Sequence, residues 1–160
     1  MNLEMVSTFL ASFLIWFMFA GLLVLWIFRK GLRTYQVLHI LTVIFIVFLI
    51  TDVIKGTIPA NRPFVTDGID PLTITIPKDN SFPSAHAAIA FSLTFGIYKH
   101  NKKYGMIFLL PATLVGVGRI ISYVHAPVDV VGGILVALLV VVLLGHRRLL
   151  KVFDRPWITS

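Results

Sequence analysis

A run of 23 residues without a charged side chain, from Val6 to Phe28, is the feature that most constrains this fold. A helix needs roughly 20 apolar residues to cross a hydrocarbon core of about 30 Å, so the run predicts a membrane-spanning helix. The positive charges Arg29 and Lys30 follow the run instead of preceding it. A cleaved signal peptide has the opposite order and a shorter apolar core. We therefore expect a retained helix whose N-terminus lies outside the cell.

The composition of the whole chain also indicates a membrane protein. Hydrophobic residues make up 58% and charged residues 13% of the 160 residues, and the mean hydropathy is +0.92. Soluble domains carry about 25% charged residues. The length suits one domain, so residues 1–160 are expected to form a single membrane-embedded domain. The chain has no cysteine, which excludes disulfides and thiolate metal sites.

Four further apolar runs predict an all-α bundle of about five spanning helices. The expected spans are about 6–28, 35–54, 85–98, 104–122 and 128–144. The run at 85–98 has only 14 residues, about 21 Å of helix, so its outer end is expected below the membrane surface. Residues 55–83 form a long polar loop with five prolines, through which no helix should run.

The distribution of positive charge predicts the orientation of this bundle. The net charge is +7, and ten of the 14 lysines and arginines fall in three clusters, each after an apolar run. Such clusters mark cytoplasmic loops, so the C-terminus is expected in the cytoplasm and no nucleic-acid partner is expected. The loop 55–83 and the segment 118–129 then lie outside. The clusters are Arg29, Lys30 and Arg33; Lys99, Lys102 and Lys103; and Arg147, Arg148, Lys151 and Arg155.

Polar side chains at the predicted outer helix ends form a candidate site for a phosphoryl group. Arginine offers phosphate oxygens a planar fork and lysine offers them a point charge, so three cations in this set suit a phosphate. A serine between a proline and an apolar run predicts a helix N-cap, whose first-turn amides bind anions. The set is Lys55, Arg62, Ser84, His86, Arg119, His125 and Asp129.

The two histidines of this set predict a reaction mechanism. Asp129 follows His125 by four residues, so its carboxylate can hold one ring nitrogen and leave the other free to attack phosphorus. His86 can protonate the leaving oxygen, because histidine titrates near neutral pH. Two alternatives stay open at this point, namely separate interfacial residues and a metal site. The three cations oppose a divalent ion, so a metal is not expected. No other cofactor is expected either.

The same residues resemble the three motifs of the type 2 phosphatidic acid phosphatase family of membrane lipid phosphatases. The family's first motif, a lysine, six residues and Arg-Pro, is similar to Lys55 through Arg62-Pro63. Its second, Pro-Ser-Gly-His, is similar to residues 83–86. Its third, Ser-Arg, five residues, His, three residues and Asp, is similar to residues 118–129. Ala85 replaces the motif glycine and Gly118 the motif serine, and five spans are expected where the family typically has six.

The resemblance implies a metal-independent phosphatase that acts through a phosphohistidine. By this resemblance, His125 attacks phosphorus and Asp129 orients it, while His86 protonates the leaving oxygen and then activates water. The phosphoryl oxygens are held by Lys55, Arg62, Ser84, Arg119 and the backbone at Ala85. Ala85 is expected to leave activity intact, whereas Gly118 removes one hydrogen bond that the motif serine can make.

The substrate and the acceptor stay open at this level. Lipid A 1-phosphate, undecaprenyl pyrophosphate, phosphatidylglycerophosphate and phosphatidic acid all present a phosphate on a lipid. The expected location is the bacterial inner membrane, with the site toward the periplasm or exterior. A lipid phosphotransferase that passes the phosphoryl group to another lipid is an alternative, and a membrane transporter or scaffold is a weaker one.

Overall fold

The computed structural model describes residues 3–28 and 31–145, and the all-α prediction is confirmed there. These residues form seven helices and no strand. The predicted basic residues 29, 30, 147, 148, 151 and 155 lie outside the described residues. The helices are α1 Leu3–Ser12, α2 Leu14–Ile27, α3 Thr34–Thr57, α4 Pro63–Asp67, α5 Ala85–His100, α6 Lys102–Ile121 and α7 Pro127–Leu144.

The candidate membrane spans agree approximately with the predicted count. By length and composition, α3, α6 and α7 can each cross a membrane. The pair α1 and α2 meets the same requirement together but is bent by 48° at its break. The predicted short span at 85–98 corresponds to α5, which has 16 residues. The structure therefore contains three or four long apolar helices with the shorter α5 packed among them.

The bend between α1 and α2 falls within the first predicted span. No glycine or proline lies near it at Phe13, so the local sequence gives no signal of the break. The last turn of a helix leaves carbonyl groups without partners inside the helix. The Arg119 guanidinium donates to the Ala11 carbonyl at 3.0 Å, and the Ser122 hydroxyl donates to the Ser7 carbonyl at 3.4 Å. The Arg119 contact thus satisfies a carbonyl in the last turn of α1, and the Ser122 contact joins the end of α6 to the middle of that helix.

The central helix is α5, which packs against α3, α6 and α7. Small residues on α5 allow its neighbours to approach closely, as they do between helices in membranes. Its fully buried residues include Ala87, Ala88, Ala90, Leu93 and Ile97. The N-terminus of this short helix lies beside the first turn of α7, where the candidate site forms.

The two ends of the bundle differ in chemistry. At one, which we call the basic end, His39 Nδ1 lies 3.0 Å from His100 Nε2, and His39 Nε2 lies 3.3 Å from the Leu144 carbonyl oxygen. Arg33 and Lys99 lie at the helix ends there. At the other, the site end, the last turns of α3 and α6 meet the first turns of α5 and α7. The helices therefore alternate in direction as the sequence predicts.

Candidate active site

The structure brings all seven sequence-predicted side chains to the site end. Lys55 lies in the last turn of α3 and Arg62 precedes α4, while Arg119 lies in the last turn of α6. Ser84 is the N-cap of α5, and His86 lies in its first turn. His125 lies in the connection before α7, and Asp129 lies in the first turn of that helix. Six of the seven residues are at most 6% exposed, and His86 is half-buried.

The first turns of α5 and α7 are joined by their backbones. The Ser84 amide donates to the Asp129 carbonyl at 2.9 Å. Gly133 permits this approach, because a Cβ there would lie 2.6 Å from the Ser84 carbonyl oxygen. The Ser84 hydroxyl in turn accepts from the Ala87 amide at 3.5 Å, as expected of an N-cap. The anion-binding helix terminus predicted at Ala85 and His86 is thereby held beside the His125–Asp129 pair.

The hydrogen bonds of His125 assign its tautomer. Its Nδ1 lies 3.3 Å from Asp129 Oδ2, and its Nε2 lies 3.4 Å from an amino nitrogen of Arg62. An arginine can only donate, so Nε2 must carry a lone pair while Nδ1–H donates to the carboxylate. Nε2 is the nitrogen that can attack phosphorus.

The surroundings of His125 keep its ring neutral. Burial lowers the pKa of His125 to about 4, and the positive charges of Arg119, Arg62 and Lys55 act in the same direction. The hydrogen bond from Nδ1–H to Asp129 opposes this shift in pKa. At neutral pH the ring is therefore uncharged, and the lone pair on Nε2 is available for bonding.

Asp79 is a member of the site that the sequence did not single out. Its carboxylate bridges two predicted phosphate ligands, with Oδ2 at 3.0 Å from Lys55 Nζ and Oδ1 at 2.7 Å from Arg62. Burial would raise the pKa of Asp79, but the hydrogen bonds and charges of Lys55 and Arg62 outweigh it and lower the pKa. The spacing of Asp52 and Lys55, three residues apart, predicts a local pair between them, but the carboxylate that the structure places against Lys55 is that of Asp79. The signal available in the sequence was that Asp79 lies in the polar loop just before residues 83–86, which are similar to the second family motif.

Ser81 is a second residue that sequence reasoning missed. It is 1% exposed, and its hydroxyl donates to Asp129 Oδ2 at 2.5 Å. Its oxygen also lies 3.3 Å from His125 Nδ1. A serine in a proline-rich loop carries no signal of such a contact, so only the structure could reveal it.

Arg119 has a buried donor available for a ligand. One amino group of its guanidinium donates to the Ala11 carbonyl, whereas its Nε has no hydrogen-bond partner among the described residues. Leaving a buried donor unpaired costs about 1–3 kcal/mol, so an anion that accepts from Nε would remove this cost. The half-buried His86 lies within the electrostatic reach of Arg119, His125, Arg62 and Lys55. The positive charges of all three cations therefore act on the part of the site in which His86 lies.

The structure explains why glycine stands at position 118, where the motif has serine. A Cβ at this position would lie 2.7 Å from Leu10 Cβ and 2.8 Å from the Leu10 carbonyl carbon. The backbone of α1 therefore occupies the space in which the motif serine would stand. Glycine at 118 lets α1 pack close enough for the Ala11 carbonyl to bind Arg119.

Comparison with known proteins agrees with the motif resemblance. The model of the PAP2 superfamily matches residues 36–150, which include all seven predicted site residues but not α1 or α2. The chain is 37% identical over 138 residues to the bacitracin transport permease protein BcrC of Bacillus licheniformis, across 86% of this chain and 68% of that protein. It is 35% identical over 79 residues to the undecaprenyl-diphosphatase BcrC of Bacillus subtilis strain 168, across 49% of this chain and 40% of that protein. No solved structure matches the chain.

Proposed function

Because this chain belongs to the PAP2 superfamily and is a membrane-embedded hydrolase of lipid phosphates or pyrophosphates, we propose that its substrate is undecaprenyl pyrophosphate. Of the four lipids open from the sequence, this is the one that a relative's name supports, since the Bacillus subtilis protein is an undecaprenyl-diphosphatase. A pyrophosphate also carries more negative charge than a monoester, which suits a site with three buried cations.

The hydrogen bonding of His125 is the observation that carries the proposed mechanism. With Nδ1–H held by Asp129, the Nε2 lone pair attacks the terminal phosphorus, and an N–P bond forms as the bond to the bridging oxygen breaks. His86 gives its proton to that oxygen, so undecaprenyl monophosphate leaves. Water then attacks the phosphohistidine, His86 takes a proton from the water, and the N–P bond breaks to release phosphate.

Three cations stabilise the charge that builds on the transferring group. Lys55, Arg62 and Arg119 hold its equatorial oxygens, and the first-turn amides of α5 add donors from the helix terminus. All three cationic side chains are buried, and contacts with Asp79 or with the Ala11 carbonyl hold them in place. Preorganised charge of this kind is the main source of acceleration in phosphoryl transfer.

The bundle is proposed to lie in the bacterial inner membrane with the site end toward the exterior. Arg33, Lys99, Lys102 and Lys103 lie at or near helix termini of the opposite end. Lysines and arginines flanking spans favour the cytoplasmic side, which supports this orientation. The substrate headgroup would then be cleaved at the outer face while its polyprenyl chain stays in the membrane.

Phosphate release from purified protein in detergent tests this function. We expect release from undecaprenyl pyrophosphate with a chelator present, and loss of release in His125→Ala. The matched control is Ser92→Ala, which alters a buried serine on α5 whose hydroxyl donates to the Ile89 carbonyl of the same helix. Full activity in His125→Ala, or loss of wild-type activity with chelator alone, would refute the mechanism. Mass analysis of the lipid products separates hydrolysis from phosphoryl transfer to a second lipid, and a panel of the other three lipids tests the substrate.

A further inference from the structure

Ser81 is held by its backbone in a position where its hydroxyl meets the His125–Asp129 pair. Its amide donates to the Ala60 carbonyl at 2.9 Å, and its carbonyl accepts from Lys55 Nζ at 3.4 Å. The side chain is 1% exposed, so water does not compete for the hydroxyl. The serine therefore has one defined orientation beside the proposed nucleophile.

Three donors converge on one oxygen of Asp129. The Ser81 hydroxyl lies 2.5 Å from Oδ2, the Ala126 amide 2.8 Å and His125 Nδ1 3.3 Å. A carboxylate oxygen offers about two lone pairs, so these donors share a limited capacity. The other two donors lie within four residues of Asp129, so the serine is the one of the three that fixes Oδ2 relative to a remote segment of the chain.

We propose that Ser81 is a positioning residue that holds Asp129 and thereby orients His125 for attack on phosphorus. The role rests on the nucleophilic function proposed for His125. The Ser81 hydroxyl takes up part of the charge of Asp129, so the carboxylate steers the imidazole without drawing off its Nδ1 proton. Without the hydroxyl, Oδ2 loses its closest partner, and the ring loses a contact that limits its rotation.

The charges around His125 give this role a pH signature. Burial lowers the pKa of His125, Asp129 raises it, and Arg119, Arg62 and Lys55 lower it; His86 on α5 is a further titratable neighbour. When the Ser81 hydroxyl is removed, Asp129 binds Nδ1–H more strongly and its raising effect grows. The acid limb of kcat/KM should therefore move to higher pH. A role in packing alone would leave that limb in place.

Two substitutions separate the hydroxyl from its volume. Ser81→Ala removes the donor, and Ser81→Cys keeps a similar volume with a weaker donor. For undecaprenyl pyrophosphate in detergent, we expect Ser81→Ala to lower kcat roughly ten- to a hundredfold at similar KM, as for a lost hydrogen bond to a charged group. We expect Ser81→Cys to be intermediate, with the acid limb raised in both variants. Ser92→Ala is the control for loss of a buried serine hydroxyl and should match the wild type.

The outcomes are distinguishable. Wild-type kcat and an unmoved acid limb in both Ser81 variants would overturn the role of Ser81 while the wild-type activity still supports the proposed function. If Ser81→Ala does not elute as folded protein, Ser81→Cys decides, and wild-type behaviour in that variant would overturn the role. A wild-type protein that releases no phosphate from any lipid in the panel would overturn the proposed function and this inference together.

Discussion

Restoring the motif serine at position 118 should lower activity, although the motif alone predicts the opposite. In Gly118→Ser, the new Cβ would lie 2.7 Å from Leu10 Cβ, whereas ordinary contact begins at 3.4 Å. The difference, 3.4 minus 2.7 or about 0.7 Å, must be absorbed largely by the α1 backbone, because the Leu10 carbonyl carbon and the Ala11 nitrogen are equally close at 2.8 and 2.9 Å. Overpacking of this kind costs about 1–3 kcal/mol.

The displacement would reach the proposed phosphate site through Arg119. Its hydrogen bond to the Ala11 carbonyl is 3.0 Å long, so a shift of about 0.7 Å along that direction would lengthen it to about 3.7 Å, beyond hydrogen-bond range. Errors of about 1 Å in the placement of a catalytic group cost up to about a hundredfold in rate. We therefore expect kcat/KM for undecaprenyl pyrophosphate to fall roughly ten- to a hundredfold, with a lower melting temperature.

Gly56→Ser is the matched control for this substitution. Gly56 is also a helical glycine, but a Cβ there would meet nothing within 4 Å. This variant should keep wild-type activity and gain slightly in stability, by about 0.5 kcal/mol, because serine is a better helix former than glycine. Phosphate release and thermal unfolding in detergent measure both effects. Wild-type or higher kcat/KM in a folded Gly118→Ser would refute the coupling between α1 and Arg119.

Two further predictions follow from charges at the site. Asp79→Asn removes the carboxylate that bridges Lys55 and Arg62, so inorganic phosphate should inhibit the enzyme more strongly. Because the Asp79 side chain is 53% exposed, we expect the inhibition constant Ki of phosphate to fall only roughly two- to fivefold. An unchanged Ki would contradict competition between Asp79 and phosphate. The pKa of His125 lies at about 4 in the folded protein against 6.5 ordinarily, so the unfolded chain binds more protons between these values and stability should fall as pH drops from 6.5 toward 4. Thermal unfolding across this range should show a smaller drop for His125→Gln than for the wild type, and equal drops would indicate that His125 does not contribute.

The alternation of helix directions is a property that local sequence predicts well. Uncharged runs of sufficient length and basic residues after them depend on chain composition and solvent alone, so Val6–Phe28 and the run that became α3 could be recognised without any tertiary information. The same holds for the N-cap at Ser84, because capping depends on the few residues around it. Motif spacing places Lys55, Arg62, Arg119 and the histidine–aspartate pair at helix ends that alternation brings to one side.

Contacts between segments far apart in the chain needed the tertiary structure. Asp79 reaches Lys55 across 24 positions, and Ser81 reaches Asp129 across 48. Such contacts depend on how an irregular loop folds over the bundle, and a loop of this kind has no periodicity from which its path can be inferred. The packing of α1 against the end of α6 is of the same kind, because Arg119 and Ser122 donate to carbonyls 108 and 115 positions away in the chain.

The sequence by itself determined the class of the protein, its long apolar helices and the chemistry of its candidate site, but not the short α4 in the polar loop or the break between α1 and α2. The features that it determined follow from hydropathy, charge and spacing, which act over a few residues. The tertiary structure decided why glycine stands at position 118, which carboxylate pairs the two cations, and which hydroxyl holds Asp129. Each depends on distances below about 3.5 Å between remote segments, and only the packing of the whole bundle sets such distances.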